Sequence, residues 1–246
     1  MNRRKWKVIK EDEPDFVKIF ENLVQQFLDS NSAPKYEQSL NEWRSNLTYV
    51  PHLIDCVQIT KLPNPLFYAA LCLQFLIKKY KTQIDSSLIQ DIFTGITHRL
   101  THFDDELHQE QIGEFKISRV SLLKTISFLL VYFPDYFDQI HIFSPNDSTI
   151  LFCFLFEEAD YQIPEVSNPF TSRFFSISEQ YLQDILKESE MSTDWLQLFK
   201  ICLHQTPEIS NYGFLLNRLR EIPTTTVLYT KFISVFDECI SNSYEN

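Results

Sequence analysis

The stretch "NPLFYAALCLQFLIKKY", residues 64–80, predicts a helix whose apolar side chains cover almost the whole circumference. At the helical period its apolar positions fall into two stripes, Leu66, Ala69, Ala70, Leu73, Ile77 and Tyr80 in the first and Phe67, Leu71 and Phe75 in the second. Only Gln74, Lys78 and Lys81 remain as a narrow strip for water or a partner. A helix with two apolar faces must be covered on two sides. We therefore expect the first stripe to be buried and the second to be largely buried.

Glycine is scarce along the chain, with three glycines among 246 residues. Sharp positive-φ turns, barrel corners and phosphate-binding loops depend on glycine, so all-β and dinucleotide-binding folds are disfavoured. The apolar fraction of 44% and the aromatic fraction of 15% exclude disorder over most of the length. The chain is therefore expected to fold around a sizeable core.

The charge balance disfavours nucleic acid as a partner. The formal net charge is −11 and the isoelectric point is near 5.0, whereas nucleic-acid binding rests mainly on Lys and Arg that neutralise phosphates. The one basic cluster, "NRRKWKVIK" at residues 2–10, is interpreted as a charged terminal tail, with steering toward an anionic surface as the alternative. We therefore expect basic partners and no direct nucleic-acid binding.

Apolar runs and cysteines bear on where the protein resides. The longest apolar runs, "FLLVYF" and "ILFCFLF", are much shorter than the about twenty residues needed to span a bilayer, so no membrane insertion is expected. The cysteines are odd in number, widely spaced and set in apolar contexts: Cys56, Cys72, Cys153, Cys202 and Cys239. Such a pattern indicates buried free thiols in a reducing compartment, which is the cytosol or the nucleus.

Nearly every segment between prolines has a helical period. Eleven helices are predicted, at residues 12–30, 34–45, 47–59, 65–80, 88–103, 117–133, 148–156, 175–188, 194–204, 212–220 and 224–241. Asp85 and Ser86 are expected to cap the helix at 88–103, and the acidic, Gln-rich residues 104–114 are expected to form a loop. Short connections between consecutive helices predict antiparallel hairpins.

The hairpins predict an all-α fold, an α-α superhelix of the HEAT or armadillo type built from antiparallel helix pairs. Its inner helices begin near residues 34, 65, 117 and 175, an uneven spacing that brackets the period of about 40–47 residues of these repeats. In a solenoid an inner helix is packed by its own partner and by both neighbouring repeats, which explains the two apolar stripes of residues 64–80. A globular helical bundle is the alternative. The last helix, 224–241, is apolar around most of its circumference, so an imperfectly capped C-terminal end is expected.

No group of residues predicts catalysis. His98, His102 and His108 lie close in sequence, but the HExxH pattern is absent and the neighbouring acidic residues are typical of a solvated helix end. The chain has no GxSxG elbow and no glycine-rich loop before a helix. We expect no enzymatic activity, no metal site and no cofactor.

Four stretches resemble a known family. Residues 16–45 are similar to the first HEAT repeat of the importin-β (karyopherin) superfamily of nuclear transport receptors. "LFYAALCLQFLIKKY" looks like a helix of the second repeat, with Ala69, Ala70 and the terminal lysines as the most specific match. Residues 117–133 are similar to the following helix of the exportin-like region, and "STILFCFLFEEADYQIP" resembles a Leu-rich stretch of the transportin-SR and importin-thirteen branch.

The resemblance implies a nucleocytoplasmic transport receptor, or its N-terminal portion, that shuttles between cytoplasm and nucleus. The implied partners are the GTP form of the small GTPase Ran, a protein cargo and phenylalanine-glycine (FG) nucleoporins. The implied organisation is a tail at 1–14, importin N-terminal-like HEAT repeats at 15–134 and further exportin-like repeats at 135–246. Members of the family are several times longer. The chain is therefore expected to be an N-terminal fragment, the product of a split or degenerate gene, or a small protein that kept the GTPase-facing end.

The resemblance also implies a binding site. In the family, Ran lies against the inner helices of the first repeats, which correspond here to residues 34–45 and 65–80. The polar positions of these helices that packing does not require form the expected ridge: Glu37, Asn41, Arg44, Gln74 and Lys78. Ordinary solvated surface is the alternative interpretation of the ridge. The alternative function is a generic α-solenoid adaptor that binds other proteins without Ran.

Overall fold

A computed structural model of the chain describes residues 15–29, 33–103, 109–162, 185–189, 192–205 and 227–244. All regular structure in these ranges is helical, and the helices pack against one another, which confirms the predicted all-α class. The chain divides into two compact units, Met1–Leu122 and Leu123–Asn246. The predicted tail at 1–14, the predicted helix at 212–220 and most of the one at 175–188 lie outside the described residues.

The helices are labelled in chain order. The α-helices with assigned bounds in the described ranges are α1 Phe16–Leu28, α2 Ala33–Trp43, α3 Val50–Ile59, α4 Pro63–Tyr80, α5 Ser86–Thr101, α6 Gln109–Tyr132, α7 Pro145–Gln162, α8 Thr193–Gln205 and α9 Val227–Tyr244. Two 3₁₀ helices, Leu47–Tyr49 and Pro134–Ile142, precede α3 and α7. Helices α1–α9 correspond in order to nine of the eleven predicted helices, and residues 185–188 of a tenth are helical.

Most helix boundaries differ from the predicted ones by two or more residues, and α7, Pro145–Gln162, extends past both ends of the predicted 148–156. The loop predicted at 104–114 is wrong from residue 109 onward, because α6 begins at Gln109. Gln and Glu favour helix, and a single glycine in a helix interior costs only about 1 kcal/mol. Helix α4 begins at Pro63, two residues before the predicted start. Proline is tolerated there because the backbone N–H that it lacks would have no acceptor within the first turn of the helix. The helix predicted at 47–59 is a 3₁₀ turn followed by α3.

Side-chain caps fix the N-terminal ends of α1 and α5. The Asp15 carboxylate accepts a hydrogen bond from the backbone N–H of Lys18 at 3.2 Å. The Asp85 carboxylate accepts one from the N–H of Leu88 at 2.8 Å, so the predicted cap at Asp85 is confirmed. Each cap satisfies a donor in the first helical turn and contributes about 1 kcal/mol.

Helix α3 lies at the centre of the first unit, where it packs against α1, α4 and α5. Helix α1 also packs against α2, and the ring centroids of Phe20 and Trp43 lie 4.7 Å apart in the seam between them. The predicted burial of the first stripe of α4 is confirmed at five positions and fails at Tyr80, which is half-buried; the buried positions are Leu66, Ala69, Ala70, Leu73 and Ile77. The apolar faces of α1, α3, α4 and α5 therefore form one continuous core.

A buried polar link joins three helices of the first unit at Thr60, which follows α3. The Thr60 hydroxyl donates to the Glu21 carboxylate of α1 and accepts from the N–H of Leu62 at 3.3 Å. The Arg99 guanidinium of α5, only 2% exposed, donates to the Thr60 carbonyl at 3.1 Å. Because buried polar groups need partners, this link holds the α3–α4 turn against α1 and α5.

Aromatic stacking organises the second unit, in which α8 packs against α7 and α9. The buried rings of Trp195, Phe199 and Phe232 stack with centroid separations of 5.5–6.1 Å. The indole N–H of Trp195 donates to the carbonyl of Leu186 at 2.8 Å. At the start of α9, Val227 is 73% exposed, so this helix is covered at Phe232 and open at its first residue.

The described cysteines agree with the sequence. Cys56, Cys72 and Cys153 are buried free thiols, as predicted. The side chains of Cys202 and Cys239 lie outside the described set. Core packing therefore accounts for the three described cysteines.

Candidate functional site

A shallow cleft between α1, α2 and α4 contains most of the predicted binding residues, and we call it the α2–α4 cleft. Its volume is about 90 Å³, far below the about 300–1,000 Å³ of typical small-molecule pockets. The lining side chains are Phe27, Glu37, Leu40, Asn41, Arg44, Tyr68, Leu71, Cys72 and Phe75. A cleft of this size accepts a side chain of a partner but does not enclose a metabolite.

The first wall of the cleft is α2. Glu37 and Asn41 of α2 share a face with Arg44, which follows the helix at spacing i, i+4 and i+7 and whose backbone N–H still donates to the Leu40 carbonyl at 3.1 Å. Glu37 and Arg44 are exposed and Asn41 is half-buried, while Leu40 is buried at the base. This wall therefore presents a carboxylate, an amide and a guanidinium above an apolar floor.

The second wall is α4, and it corrects the predicted burial of the second stripe. Phe67 and Leu71 are only half-buried, and Phe75 is 51% exposed. The guanidinium carbon of Arg44 lies 5.0 Å from the centroid of the Phe75 ring, a cation–π contact. Helix α2 ends at Trp43, and the residue that follows it and lies over Phe75 is the charged Arg44. The result is an aromatic ring that remains open to a partner.

Two aromatic rings close the opposite end of the cleft. Phe27 and Tyr68 meet edge to face with centroids 5.7 Å apart, and Phe67 meets Tyr68 in the same way at 5.5 Å. Phe27 lies in the last turn of α1, and the connection to α2 is short, so this end is the one beside Glu37. Arg44 marks the other end.

Cys72 lines the cleft but is not an activated nucleophile. Burial raises the pKa of the Cys72 thiol to about 12, although the nearby positive charge of Arg44 acts in the opposite direction. A reactive cysteine needs a thiolate at neutral pH and hence a lowered pKa. Cys72 therefore serves as an apolar wall residue.

Gln74 is a packing residue, which corrects its predicted place on the exposed ridge. It is 7% exposed, and its amide donates to the Ser121 carbonyl at 3.0 Å and to the Ser121 hydroxyl at 3.1 Å. A second bond between the same helices runs from the Ser118 hydroxyl to the Pro63 carbonyl at 2.7 Å. Gln74 thus joins α4 to α6 and is not available to a partner.

Lys78 is exposed on α4 and borders the cleft without lining it. It follows Phe75 by three residues, so the two side chains share a face of the helix. Lys81, the last residue of the expected polar strip, is also exposed. Of the five predicted ridge residues, Glu37, Asn41 and Arg44 therefore line the α2–α4 cleft, Lys78 is exposed outside its lining, and Gln74 is buried elsewhere.

The aromatic residues of the cleft are what the sequence reasoning missed. The sequence analysis predicts a largely buried stripe for Phe75 and assigns no functional role to Phe27 or Tyr68. A usable signal lies in the order of residues, since Phe75 stands about one turn before Lys78 and Lys79 on a shared face. An aromatic residue beside lysines on one face indicates incomplete burial.

The histidines do not form a metal centre within the described residues. The exposed rings of His98 and His102 stack with centroids 4.4 Å apart, and Nδ1 of His102 lies 2.9 Å from the His98 carbonyl oxygen. No group of three or more His, Cys, Asp or Glu side chains in the described ranges is placed to hold a metal ion. His108, the third residue of the sequence cluster, lies outside those ranges.

A buried tyrosine–carboxylate pair lies in the second unit. The Tyr132 hydroxyl donates to the Glu158 carboxylate at 3.0 Å, and Glu158 is 8% exposed. Burial, followed by this hydrogen bond and the charge of Glu158, raises the pKa of Tyr132. Tyr132 therefore stays protonated as a donor that ties α6 to α7.

Among the described helices, none is both long enough and apolar enough to cross a membrane.

Comparison of the chain with protein-family models, with curated proteins and with solved structures gave no significant match. The geometry and chemistry of the α2–α4 cleft are therefore the basis for a functional proposal.

Proposed function

We propose that the chain is a protein-binding helical scaffold that docks a partner in the α2–α4 cleft, and that it acts as a nucleocytoplasmic transport receptor or its N-terminal portion. The observation that carries the docking proposal is Phe75, which is 51% exposed beside apolar walls. The charged groups of Arg44 and Glu37 stand at the rim. An aromatic anchor point inside a polar rim is the usual anatomy of a protein interface.

The order of helix contacts supports a superhelical arrangement of the first unit. Helix α3 contacts both α1 and α5. Helix α4 faces α2 across the cleft and meets α6 through Gln74 and Ser121. In a stack of antiparallel pairs, alternate helices form two layers, here α1–α3–α5 and α2–α4–α6. We propose on this basis a solenoid of the HEAT or armadillo type with the α2–α4 cleft on its inner layer.

The transport-receptor part of the proposal rests on the family resemblance of residues 16–45 and 66–80. In it, the GTP form of Ran binds the ridge formed by Glu37, Asn41, Arg44 and Lys78. Ran and a protein cargo then bind the receptor either in a mutually exclusive manner or cooperatively. The mechanism is a coupling free energy between two binding events and involves no chemical step.

The second candidate is an α-solenoid adaptor that does not bind Ran. The burial of Gln74 favours it, because one position of the expected Ran ridge serves packing instead. The apolar walls of the cleft also suit any partner that offers an apolar side chain, regardless of a nucleotide. The two candidates therefore differ in one measurable property, the dependence of binding on the nucleotide.

Calorimetry against Ran tests the proposal. The chain is titrated with Ran carrying a non-hydrolysable GTP analogue and, separately, with Ran carrying GDP. We expect tighter binding of the GTP form, and we expect the Glu37→Lys, Lys78→Glu double variant to weaken it by about 2–3 kcal/mol with the fold intact. The matched control is Lys35→Glu, Glu42→Lys, which makes the same charge changes at exposed positions of α2 outside the cleft.

The outcomes separate the candidates. Equal affinity for the two nucleotide forms would support the adaptor. No heat with either form would remove Ran from the proposal. Equal effects of the cleft variant and its control would remove the cleft from it.

A further inference from the structure

The α2–α4 cleft is electrically polarised along its length. Arg44 follows the last residue of α2, and Lys78 and Lys79 stand in the last turn of α4, so exposed cations gather at one end. Glu37 stands at the other end. Each helix C-terminus contributes a partial charge of about −0.5, which the full positive charges of Arg44 and Lys79 outweigh. The end beside Phe75 is therefore positive, and the end beside Phe27 carries a carboxylate.

The apolar stretch between these ends has the dimensions of a short helix contact. Glu37 and Arg44 are seven residues apart on α2, which corresponds to about 10 Å along the axis, or two turns. Tyr68 and Phe75 define a stretch of equal length on α4. A second helix laid along such a groove places anchors at i, i+3 or i+4, and i+7. The cleft volume of about 90 Å³ leaves room for an apolar anchor side chain.

We infer that the occupant of the α2–α4 cleft is an amphipathic helix of a protein partner that carries carboxylates in its C-terminal turn. Its apolar anchor enters the cleft against Leu71 and Phe75, and its terminal carboxylates lie over Arg44 and Lys79. Its N-terminus lies toward Glu37. This inference deepens the proposed function, because it rests on the cleft being a protein-docking surface.

The polarity of the cleft sets the direction in which the helix lies. A helix carries partial negative charge at its C-terminus and partial positive charge at its N-terminus. The cations beside Phe75 attract the C-terminal end, and the carboxylate of Glu37 attracts the N-terminal end. Acidic residues in the last turn strengthen the first attraction, whereas basic residues there would meet the like charges of Arg44 and Lys79. The charge pattern therefore selects both the partner's sequence and its orientation.

Two peptides of identical composition test this inference against the full chain. Both carry the same leucine face and a hydrocarbon staple on the polar face, and circular dichroism verifies that they are equally helical. One has two glutamates in its last turn and two lysines in its first, and the other has them exchanged. Fluorescence anisotropy should show that the peptide with C-terminal glutamates binds about tenfold more tightly, with a preference that shrinks as salt is added.

Charge variants of the protein decide whether the cleft is responsible. Arg44→Glu, Lys79→Glu should abolish or invert the preference between the peptides. The control Lys61→Glu, Lys116→Glu makes the same net change at exposed residues outside the cleft and should preserve it. Equal affinity for both peptides, binding of neither, or an unchanged preference in the cleft variant would overturn the inference. If the chain prefers the peptide with C-terminal glutamates but does not bind Ran, the inference stands and the receptor function is wrong. If the chain binds Ran–GTP but shows no preference between the peptides, the receptor function stands and the inference is wrong.

Discussion

Gly95 of α5 lies directly against Ile54 of α3. A Cβ atom at position 95 would stand 2.7 Å from Cγ2 of Ile54 and 3.2 Å from the amide nitrogen of Gln58. The side chain of Ile54 is 9% exposed and branched at Cβ, so it has little freedom to move away. The missing side chain of Gly95 therefore sets the spacing between α3 and α5 at the centre of the first unit.

Gly95→Ala is expected to lower the free energy of unfolding by about 1–3 kcal/mol through overpacking. The gain in helix propensity, about 1 kcal/mol, offsets part of this loss. Gly113→Ala is the matched control, because a Cβ there meets no atom within 4 Å, and it should raise the stability by about 0.5–1 kcal/mol. Urea unfolding followed by circular dichroism measures both. If Ile54 is the obstacle, Gly95→Ala must lower the free energy of unfolding by less in an Ile54→Ala background than in the unmodified chain. An equal loss in both backgrounds would contradict the contact with Ile54 as the cause.

Gln74 should behave as a structural residue although it is polar and directly precedes the exposed Phe75. Gln74→Ala removes two hydrogen bonds to Ser121 and leaves buried polar groups without those donors, so we expect a loss of about 1–3 kcal/mol in the free energy of unfolding. Lys78→Ala, one turn later on the same helix, should change it by less than about 0.5 kcal/mol. Chemical denaturation of the two variants side by side is the measurement. A neutral Gln74→Ala would mean that the amide is not buried between α4 and α6.

The sequence contains most of the information on the helical elements. The period of apolar residues in α4 predicts both its existence and the burial of Leu66 and Ala70, because a stripe at 3.6 residues per turn has only one way to face a core. Asp85 predicts the start of α5, since its carboxylate satisfies a donor that the helix leaves open. The start of α6 escaped prediction because its first turns are polar and carry Gly113, so no apolar period marks them.

The candidate site was harder to predict, as the adjacent residues Gln74 and Phe75 illustrate. Neighbours in a helix differ by about 100° around its axis. The rotation of α4 between α2 and α6 therefore decides which of the two is buried, and that rotation depends on helices distant in sequence. Ser121 of α6 offers Gln74 two acceptors, while the charged side chain of Arg44, just after α2, lies over Phe75. The polar residue is consequently buried and the aromatic residue is exposed.

Phe75 should contribute to binding and little to stability. Phe75→Ala loses a cation–π contact with Arg44 worth about 0.5–1 kcal/mol and leaves no buried cavity. We therefore expect its free energy of unfolding to fall by less than about 1 kcal/mol, whereas Phe20→Ala in the core should cost about 3–5 kcal/mol. Thermal and urea unfolding compare the two variants, and anisotropy with the stapled peptides should show strongly weakened binding for Phe75→Ala. A stable Phe75→Ala variant that binds the peptides with unchanged affinity would contradict the role of this ring.

The buried thiols of Cys56 and Cys72 should make the fold sensitive to alkaline pH. Burial raises the pKa of Cys56 and raises that of Cys72 to about 12, while a thiol in the unfolded chain has a pKa of about 8.5. Between those values the unfolded state loses protons that the folded state keeps, so the free energy of unfolding must fall as the pH rises. The slope contributed by each thiol approaches about 1.4 kcal/mol per pH unit. Urea unfolding between pH 7.5 and 10.5 measures it, and the Cys56→Ala, Cys72→Ala variant, although less stable throughout, should show a shallower decline. An equally steep decline in the variant would assign the alkaline sensitivity to other groups.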